Sequence, residues 1–411
     1  MKPNGKIQRF ELKNGLTVLL EPDWHIHSVA MGFGVNTGGR DETKELDGCS
    51  HFLEHMCFRG TAKRSSRELL LAFDRMGAIN NAFTSQEITV YWAWTLREQF
   101  APTLSLLAEM MRPSLPRDEY ETEKKVILEE IAMYNDSPDS RLYIELLKQA
   151  LGTHPLSSTV LGSADAVREL TRDQMAAYHA RRYSANNMVC SISGNFDPKE
   201  ARRLLEKSCG NWQRGEAGRN QLTARVRSGE KLVVKTDLKQ QRLGWVFNCV
   251  NARDDRRHTA ALLSHILGGG EGSRLYWAIT NKGLAEDIHA SFDAASDTGL
   301  LFIFTSLEPR NAKKVIDIVC RELRKLQRDG VTTAELTRAK NKALTSLAVT
   351  DPAGRMTRHA THFLETGKIE TLEQERKSIG AVTRTGTAAL LCEFPFDRGG
   401  ARVGYGPMEM I

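Results

Sequence analysis

The sequence predicts an α+β fold of two related domains, and three observations carry that expectation. Segments rich in β-branched and aromatic residues alternate with segments of helical periodicity along most of the chain. A polar stretch from Gly210 to Lys231, containing Gly215, Gly218 and Arg219-Asn220-Gln221, loses all periodicity. The order strand, Asp-containing turn, helix then occurs on both sides of it, from Ser28 to Met56 and from Gln241 to Leu267, so the halves read as a diverged repeat. The expected domains are residues 1–210 and 232–411, with a linker at 211–231. A chain of 411 residues is too long for one ordinary core.

Taken in order, Leu12 to Glu21 alternates weakly around Leu16-Thr17-Val18-Leu19-Leu20, and Ser28 to Val35 repeats the pattern, which predicts two strands. Asn36-Thr37-Gly38-Gly39-Arg40-Asp41-Glu42 reads as a turn. A helix starts near Gly48 or Cys49 and stops near Gly60, and a second runs from Ser66 to Met76, capped by Ser65 or Ser66 and closed by Gly77. Ala82 to Trp94 reads as one strand. It is either a core strand or a sheet edge whose free backbone groups can hold an extended peptide. Arg97 to Met111 and Tyr120 to Asp136 are helical. In the second, Glu121, Glu123, Glu129 and Glu130 surround Val126-Ile127-Leu128. Either some of these carboxylates face a partly buried side, as a third metal ligand would, or they form a solvated acidic face. A helix at Thr171 to Tyr183 and a strand at Asn187 to Gly194 complete the first half. Beyond the linker come a strand from Gln241 to Val250, the turn Asn251-Ala252-Arg253-Asp254-Asp255 and a helix from His258 to Leu267.

Composition narrows the function classes. Hydrophobic content of 41% with 26% charged residues is that of a globular protein, and the formal net charge is only +6. Basic clusters such as Arg181-Arg182, Arg202-Arg203 and Arg256-Arg257-His258 lack interleaved aromatics, so a nucleic-acid surface is not expected. No apolar run approaches the roughly 18 residues that span a bilayer, and Met1-Lys2-Pro3-Asn4-Gly5-Lys6 lacks a secretory apolar region. Seven cysteines, odd in number and widely spaced, read as reduced thiols, and a cytoplasmic chain is expected. Gly268-Gly269-Gly270-Glu271-Gly272-Ser273 follows a helix and lacks the Lys-Ser or Lys-Thr ending of a phosphate loop.

The chemistry concentrates in His51-Phe52-Leu53-Glu54-His55. One helical turn separates the two histidines, so both imidazoles leave the same face and can share a metal ion. Glu54 stands beside them, free to take a proton from a metal-activated water and pass it to a leaving amine. Such spacing also occurs on solvated helices, but Phe52, Leu53, Met56 and Phe58 make these surroundings apolar, where unpaired histidine and glutamate are costly. The order H-x-x-E-H is the inverzincin signature. Cys57, two residues past His55, points away from the metal face, and His265 in the second half has no accompanying ligands and reads as structural.

The chain resembles the pitrilysin and insulysin family of zinc peptidases, in the short-chain branch related to mitochondrial processing peptidase. The likeness runs from Val35-Asn36-Thr37-Gly38-Gly39-Arg40-Asp41-Glu42 through Gly48 to Thr61, then Asn81-Ala82-Phe83-Thr84-Ser85, Glu123 to Ile131, and His154-Pro155-Leu156 to Leu161-Gly162. In the second half, Ile266-Leu267-Gly268-Gly269-Gly270 and Ser273-Arg274-Leu275 resemble the pattern too. The resemblance implies two domains, each a mostly antiparallel sheet packed with helices, forming half of a clamshell. It implies Zn²⁺ held by His51, His55 and a glutamate about 75 residues further on, which is Glu130, with Glu129 as its rival. It makes Glu54 the catalytic base and then acid, Glu123 the carboxylate that orients a ligand histidine, and Phe58 a wall of the pocket after the scissile bond. The peptide substrate is expected as an added strand on Asn81, Ala82 and Phe83. One departure stands out: Ile279 and Glu286 occupy positions near those where many relatives carry an arginine and a tyrosine that hold the substrate carbonyl. The partner expected is therefore a second subunit, in a homodimer or in a heterodimer with a family paralogue that supplies those groups. Acidic residues that would select an arginine near the cleavage site are not evident, Ser140 and Ile144 standing where they are expected. The alternative is a non-proteolytic structural or assembly subunit of the same family.

Overall fold

The computed structural model describes residues 6–409, so most of the start read above, Met1 to Gly5, lies outside the described residues. The strands are β1 (Gln8–Glu11), β2 (Thr17–Pro22), β3 (Ser28–Val35), β4 (Ile79–Thr84), β5 (Thr89–Leu96), β6 (Met188–Gly194), β7 (Gly229–Val234), β8 (Gln241–Cys249), β9 (Asp287–Ala294), β10 (Gly299–Leu307) and β11 (Ala401–Gly406). The helices through the middle of the chain are α1 (Cys49–Met56), α2 (Ser66–Arg75), α3 (Phe100–Met110), α4 (Arg117–Asp136), α5 (Pro138–Leu151), α6 (Ala164–Glu169), α7 (Arg172–Arg182) and α8 (Pro198–Cys209). They continue with α9 (Arg257–Gly268), α10 (Arg274–Ala278), α11 (Ala312–Asp329), α12 (Thr333–Ala348), α13 (Pro352–Thr366), α14 (Leu372–Ala381) and α15 (Arg384–Glu393). Among the described residues no helix is long and apolar enough to cross a membrane.

The fold is α+β, with two compact units, each containing one sheet packed against helices. The first unit's sheet has the order β1-β2-β6-β3-β5-β4 and the second's the order β7-β11-β8-β10-β9. Apart from the added β1, the two orders correspond strand for strand. The senses correspond as well: β2 pairs with β6 in parallel, as β7 does with β11, and every other pair is antiparallel.

The division between units is not a single cut at 211–231. The first unit comprises the chain up to Ala132, Thr159–Asn220 and Thr350–Thr371, and the second Met133–Ser158, Gln221–Val349 and Leu372–Ile411. The reason is the need to cover a second face of each sheet. In the first unit α13 does so, lying close over β3, where a Cβ on Gly32 would stand 2.6 Å from the Met356 sulfur. Ala360 of α13 packs there with Leu19 and Val189. In the second unit α5 does so, burying Leu142, Leu146, Leu147 and Ala150 with Val246, Phe302 and Val403.

Two strand boundaries differ from the sequence expectation. Leu12 to Leu16 is a turn, with Gly15 at φ 88°, so the strand starts only at Thr17. Ala82 to Trp94 is a hairpin in which β4 pairs antiparallel with β5. The turn between them is made by Ser85, whose hydroxyl accepts from the N–H groups of Glu87 and Ile88 and donates to the Ile88 carbonyl. The hairpin leaves β4 at the sheet edge, resolving the choice between core and edge.

Candidate metal centre

The motif helix is set by its two sides. At 100° per residue, Phe52, Leu53 and Met56 fall on one side and His51, Glu54 and His55 on the other. The three apolar side chains are fully buried in the first unit's core, worth about 1.5–3 kcal/mol each relative to exposure. This fixes the rotation of the helix and presents the polar side. Its N-terminus is held by Glu42, whose carboxylate accepts from Gly48 N–H at 2.7 Å and Ser50 N–H at 2.5 Å, satisfying donors that have no partner within the helix. Gly48 has φ 90°, and a Cβ there would stand 2.5 Å from the Leu161 carbonyl oxygen, so both torsion and space require glycine.

The structure brings His51, His55 and Glu130 together: one donor atom from each lies within 4.8 Å of the others. The Glu130 carboxylate is 3.8 Å from His51 Nε2 and 3.9 Å from His55 Nε2. Tetrahedral zinc with bonds near 2.05 Å has donors about 3.4 Å apart, so these residues fit the ion in type and spacing. Glu129 is exposed and outside the group, because one residue is 100° of helix. Glu123, two turns before Glu130 on nearly the same side of α4, is buried and bonds His55 Nδ1 at 2.7 Å. That bond directs the other ring nitrogen of His55 towards the group. Behind it, Arg59 Nε lies 2.6 Å from the second Glu123 oxygen.

The electrostatics follow from burial and these contacts. Burial, with the neighbouring His55, pulls His51 down to about 4 and keeps it as the neutral imidazole a metal requires. Burial also acts to lower His55, but the Glu123 bond and the charges of Glu123, Glu54 and Glu130 outweigh it and the net shift is upward. Burial acts to raise Glu123, and the His55 and Arg59 bonds outweigh that, holding it below the ordinary carboxylate value. Glu130 is raised by burial and by Glu123, against the pull of His55. Glu54 is raised by burial, opposed by its bond from Thr84 and by His55, with Glu130 adding to the rise.

Thr84, at the end of β4, donates its hydroxyl to Glu54 at 2.5 Å and so ties the sheet edge to the motif helix. Along β4, Ile79, Asn81 and Phe83 are exposed, while Asn80, Ala82 and Thr84 are half-buried. Phe58 is half-buried, 6.4 Å from the Tyr91 ring. Two site residues were not identified from the sequence. Arg59 lies four residues beyond His55, a spacing that could have flagged it, and Thr84 directly follows the Asn81-Ala82-Phe83 stretch.

In the second unit Ile279 is fully buried and Glu286 is exposed, accepting from Gln240 at 2.8 Å. Ser140 and Ile144 are half-buried on α5. His265 on α9 is half-buried and joins no group of potential metal ligands among the described residues. Cys57 is buried, which pushes its thiol up to about 12, and all seven cysteines are free.

A paired-sheet α+β fold carrying an H-x-x-E-H helix beside a glutamate from a distant helix defines the inverzincin class of site. Comparison with known proteins identifies the family. Residues 17–164 match the family model of insulinase, peptidase family M16, and residues 169–343 match the model of the peptidase M16 inactive domain. A Bacillus subtilis protein described as an uncharacterized zinc protease is 32% identical over 381 residues, covering 92% of each chain. The chain belongs to peptidase family M16, the insulinase family. Among solved structures, a protease from Helicobacter pylori superimposes with a TM-score of 0.91 at 21% identity, over 98% of this chain and 100% of that one. A peptidase M16 inactive domain from Pseudomonas fluorescens does so with a TM-score of 0.90 at 20% identity, over 98% of each.

Proposed function

We propose that this chain is a zinc-dependent endopeptidase acting on peptides or unfolded polypeptide segments. The observation that carries this reading is the convergence of His51, His55 and Glu130 donor atoms within 4.8 Å, with the Glu54 carboxylate beside them and free of the group. When bound, zinc lowers the pKa of a coordinated water and polarises the scissile carbonyl. Glu54 takes the proton from the attacking water and delivers it to the leaving amine, with Thr84 fixing the direction of its carboxylate. Glu123 holds His55 through Nδ1. The free edge of β4, at Asn81, Ala82 and Phe83, receives the substrate backbone as an added strand, and Phe58 lines the pocket after the cleaved bond. Seven free cysteines fit a reducing cytoplasm.

Ile279 and Glu286 offer no cationic or phenolic group to a substrate oxyanion. We therefore assign those groups to a second subunit that completes a two-subunit chamber, half of which this chain supplies. The purified chain is expected to hold about one zinc and, without its partner, to hydrolyse peptides poorly. Zinc is read by plasma emission spectroscopy, and activity by mass spectrometry of a peptide library, with and without co-purified partner. Full activity of the chain in homogeneous form would exclude a paralogue and leave a homodimer or a different electrophile. Absence of both zinc and hydrolysis from the partnered form would favour the alternative, a structural or assembly subunit, which the match of residues 169–343 to an inactive-domain model leaves open.

Glu123→Ala should weaken zinc binding about 10–100-fold, and Arg59→Ala should weaken it less, because Arg59 acts only through Glu123. Competition against a chelating dye measures both. An Arg59→Ala loss larger than that of Glu123→Ala would contradict the relay.

A further inference from the structure

The segment from Gly210 to Ser228, polar enough to read as a loose linker, contains no helix or strand. An arginine in such a segment is normally solvated. Arg219 instead has a side chain only 6% exposed. Its Nε donates to Asp41 Oδ1 at 3.1 Å, its Nη2 donates to Asn36 Oδ1 at 2.7 Å and to the Glu87 carbonyl, and its Nη1 lies 2.9 Å from Glu87 Oε1. Asn36 and Asp41 belong to the turn before the motif helix, and Glu87 to the turn that closes the β4–β5 hairpin. The first turn continues into Glu42, which holds the N-terminus of α1. The second fixes the end of the edge strand.

We infer that Arg219 is a positioning residue for the proposed peptidase site, clamping the edge strand that receives the peptide to the helix that carries His51, His55 and Glu54. The two turns also meet directly, through Gly39 N–H to the Ser85 carbonyl at 3.2 Å, Arg40 N–H to the Gln86 carbonyl at 2.9 Å, and the Arg40–Glu87 pair at 2.5 Å. Arg219 differs from these in coming from outside both turns and gripping both with one planar fork, a geometry lysine cannot reproduce. Its loss leaves neither carboxylate unpaired: Glu87 retains Arg40, and Asp41 retains Arg182 at 3.7 Å. The fold and zinc ligands therefore survive while the register of β4 against α1 loosens. That register matters because Thr84 of β4 bonds Glu54 of α1, and because a displacement near 1 Å between a bound substrate and its catalytic group can cost up to about 100-fold in rate.

The inference rests on the peptidase reading, and its test separates the two. Arg219→Gln, prepared with any partner required for activity, should retain zinc content and lower kcat per bound zinc about tenfold or more. Arg219→Lys should recover part of that loss. In a Thr84→Val background the Arg219→Gln loss should shrink, because the two changes act on the same alignment; independent structural effects would multiply. Asn36→Ala, which removes one bond to the fork, is the milder probe if Arg219→Gln does not fold, and it should lower kcat per zinc in the same direction. An unchanged kcat per zinc, or multiplicative losses with Thr84→Val, overturns the inference. Should the parent cleave no peptide at all, the peptidase reading fails first. Hydrogen exchange then decides the role of Arg219: faster exchange in β4 and the N-terminal turn of α1 supports the clamp, and unchanged exchange there rejects it.

Discussion

Glu54→Gln is expected to keep a full complement of zinc while hydrolysis falls by about 10²- to 10⁴-fold, equivalent to about 3–5 kcal/mol of barrier. The substitution preserves shape and leaves a carbonyl oxygen to accept the Thr84 hydroxyl, so the contact at 2.5 Å survives. It removes only the ability to take up a proton. Zinc should remain because Glu54 is outside the group formed by His51, His55 and Glu130. Stability should not fall either: burial is the largest influence on Glu54 and disfavours its charge, so a neutral amide relieves that cost. Metal analysis, thermal unfolding and peptide cleavage on the same preparation check all three statements. Cleavage at the parent rate would remove Glu54 from the mechanism.

The sequence revealed this site unevenly, according to how far apart its residues lie. His51, Glu54 and His55 share one helix, where spacing alone sets direction. Glu130 lies on another helix, and spacing within that helix cannot say which carboxylate faces the histidines; the family resemblance supplied it. The hairpin was hidden because Ser85-Gln86-Glu87 contains no glycine, proline or asparagine, and the turn depends on hydrogen bonds of a single serine. Strand-forming residues stand on both sides of it, Phe83-Thr84 before and Ile88-Thr89-Val90-Tyr91 after, so the run reads as one strand. The turn at Lys13-Asn14-Gly15 carried the usual signals, and only the apolar residues on both sides obscured it. Arg219 was illegible for a different reason. Composition marks its segment as solvated, and only tertiary structure shows that two turns far apart in the chain converge on its guanidinium. Likewise the contributions of α5 to the second unit and α13 to the first cross any linear boundary, because the demand for them comes from an uncovered sheet face.

Glu130→Gln should have the opposite signature to Glu54→Gln, losing hydrolysis because it loses the metal. Removing an outer carboxylate that only orients a ligand costs about 10–100-fold in affinity, so loss of the carboxylate that faces the Nε2 atoms of both imidazoles should exceed 100-fold. The glutamine amide is neutral and a poorer donor than a carboxylate, leaving two imidazoles to hold a doubly charged ion. Glu129→Gln is the matched control, since its exposed side chain points a full 100° of helix away and should keep zinc at parent affinity. Apparent affinities from competition with a chelator, followed by metal content after dialysis, separate these cases without reference to activity. If Glu130→Gln retained zinc at parent affinity, the third donor would have to be sought elsewhere. Glu123 would be the first candidate, being already bonded to His55 at 2.7 Å, and its present role in orienting that histidine would then have to be abandoned.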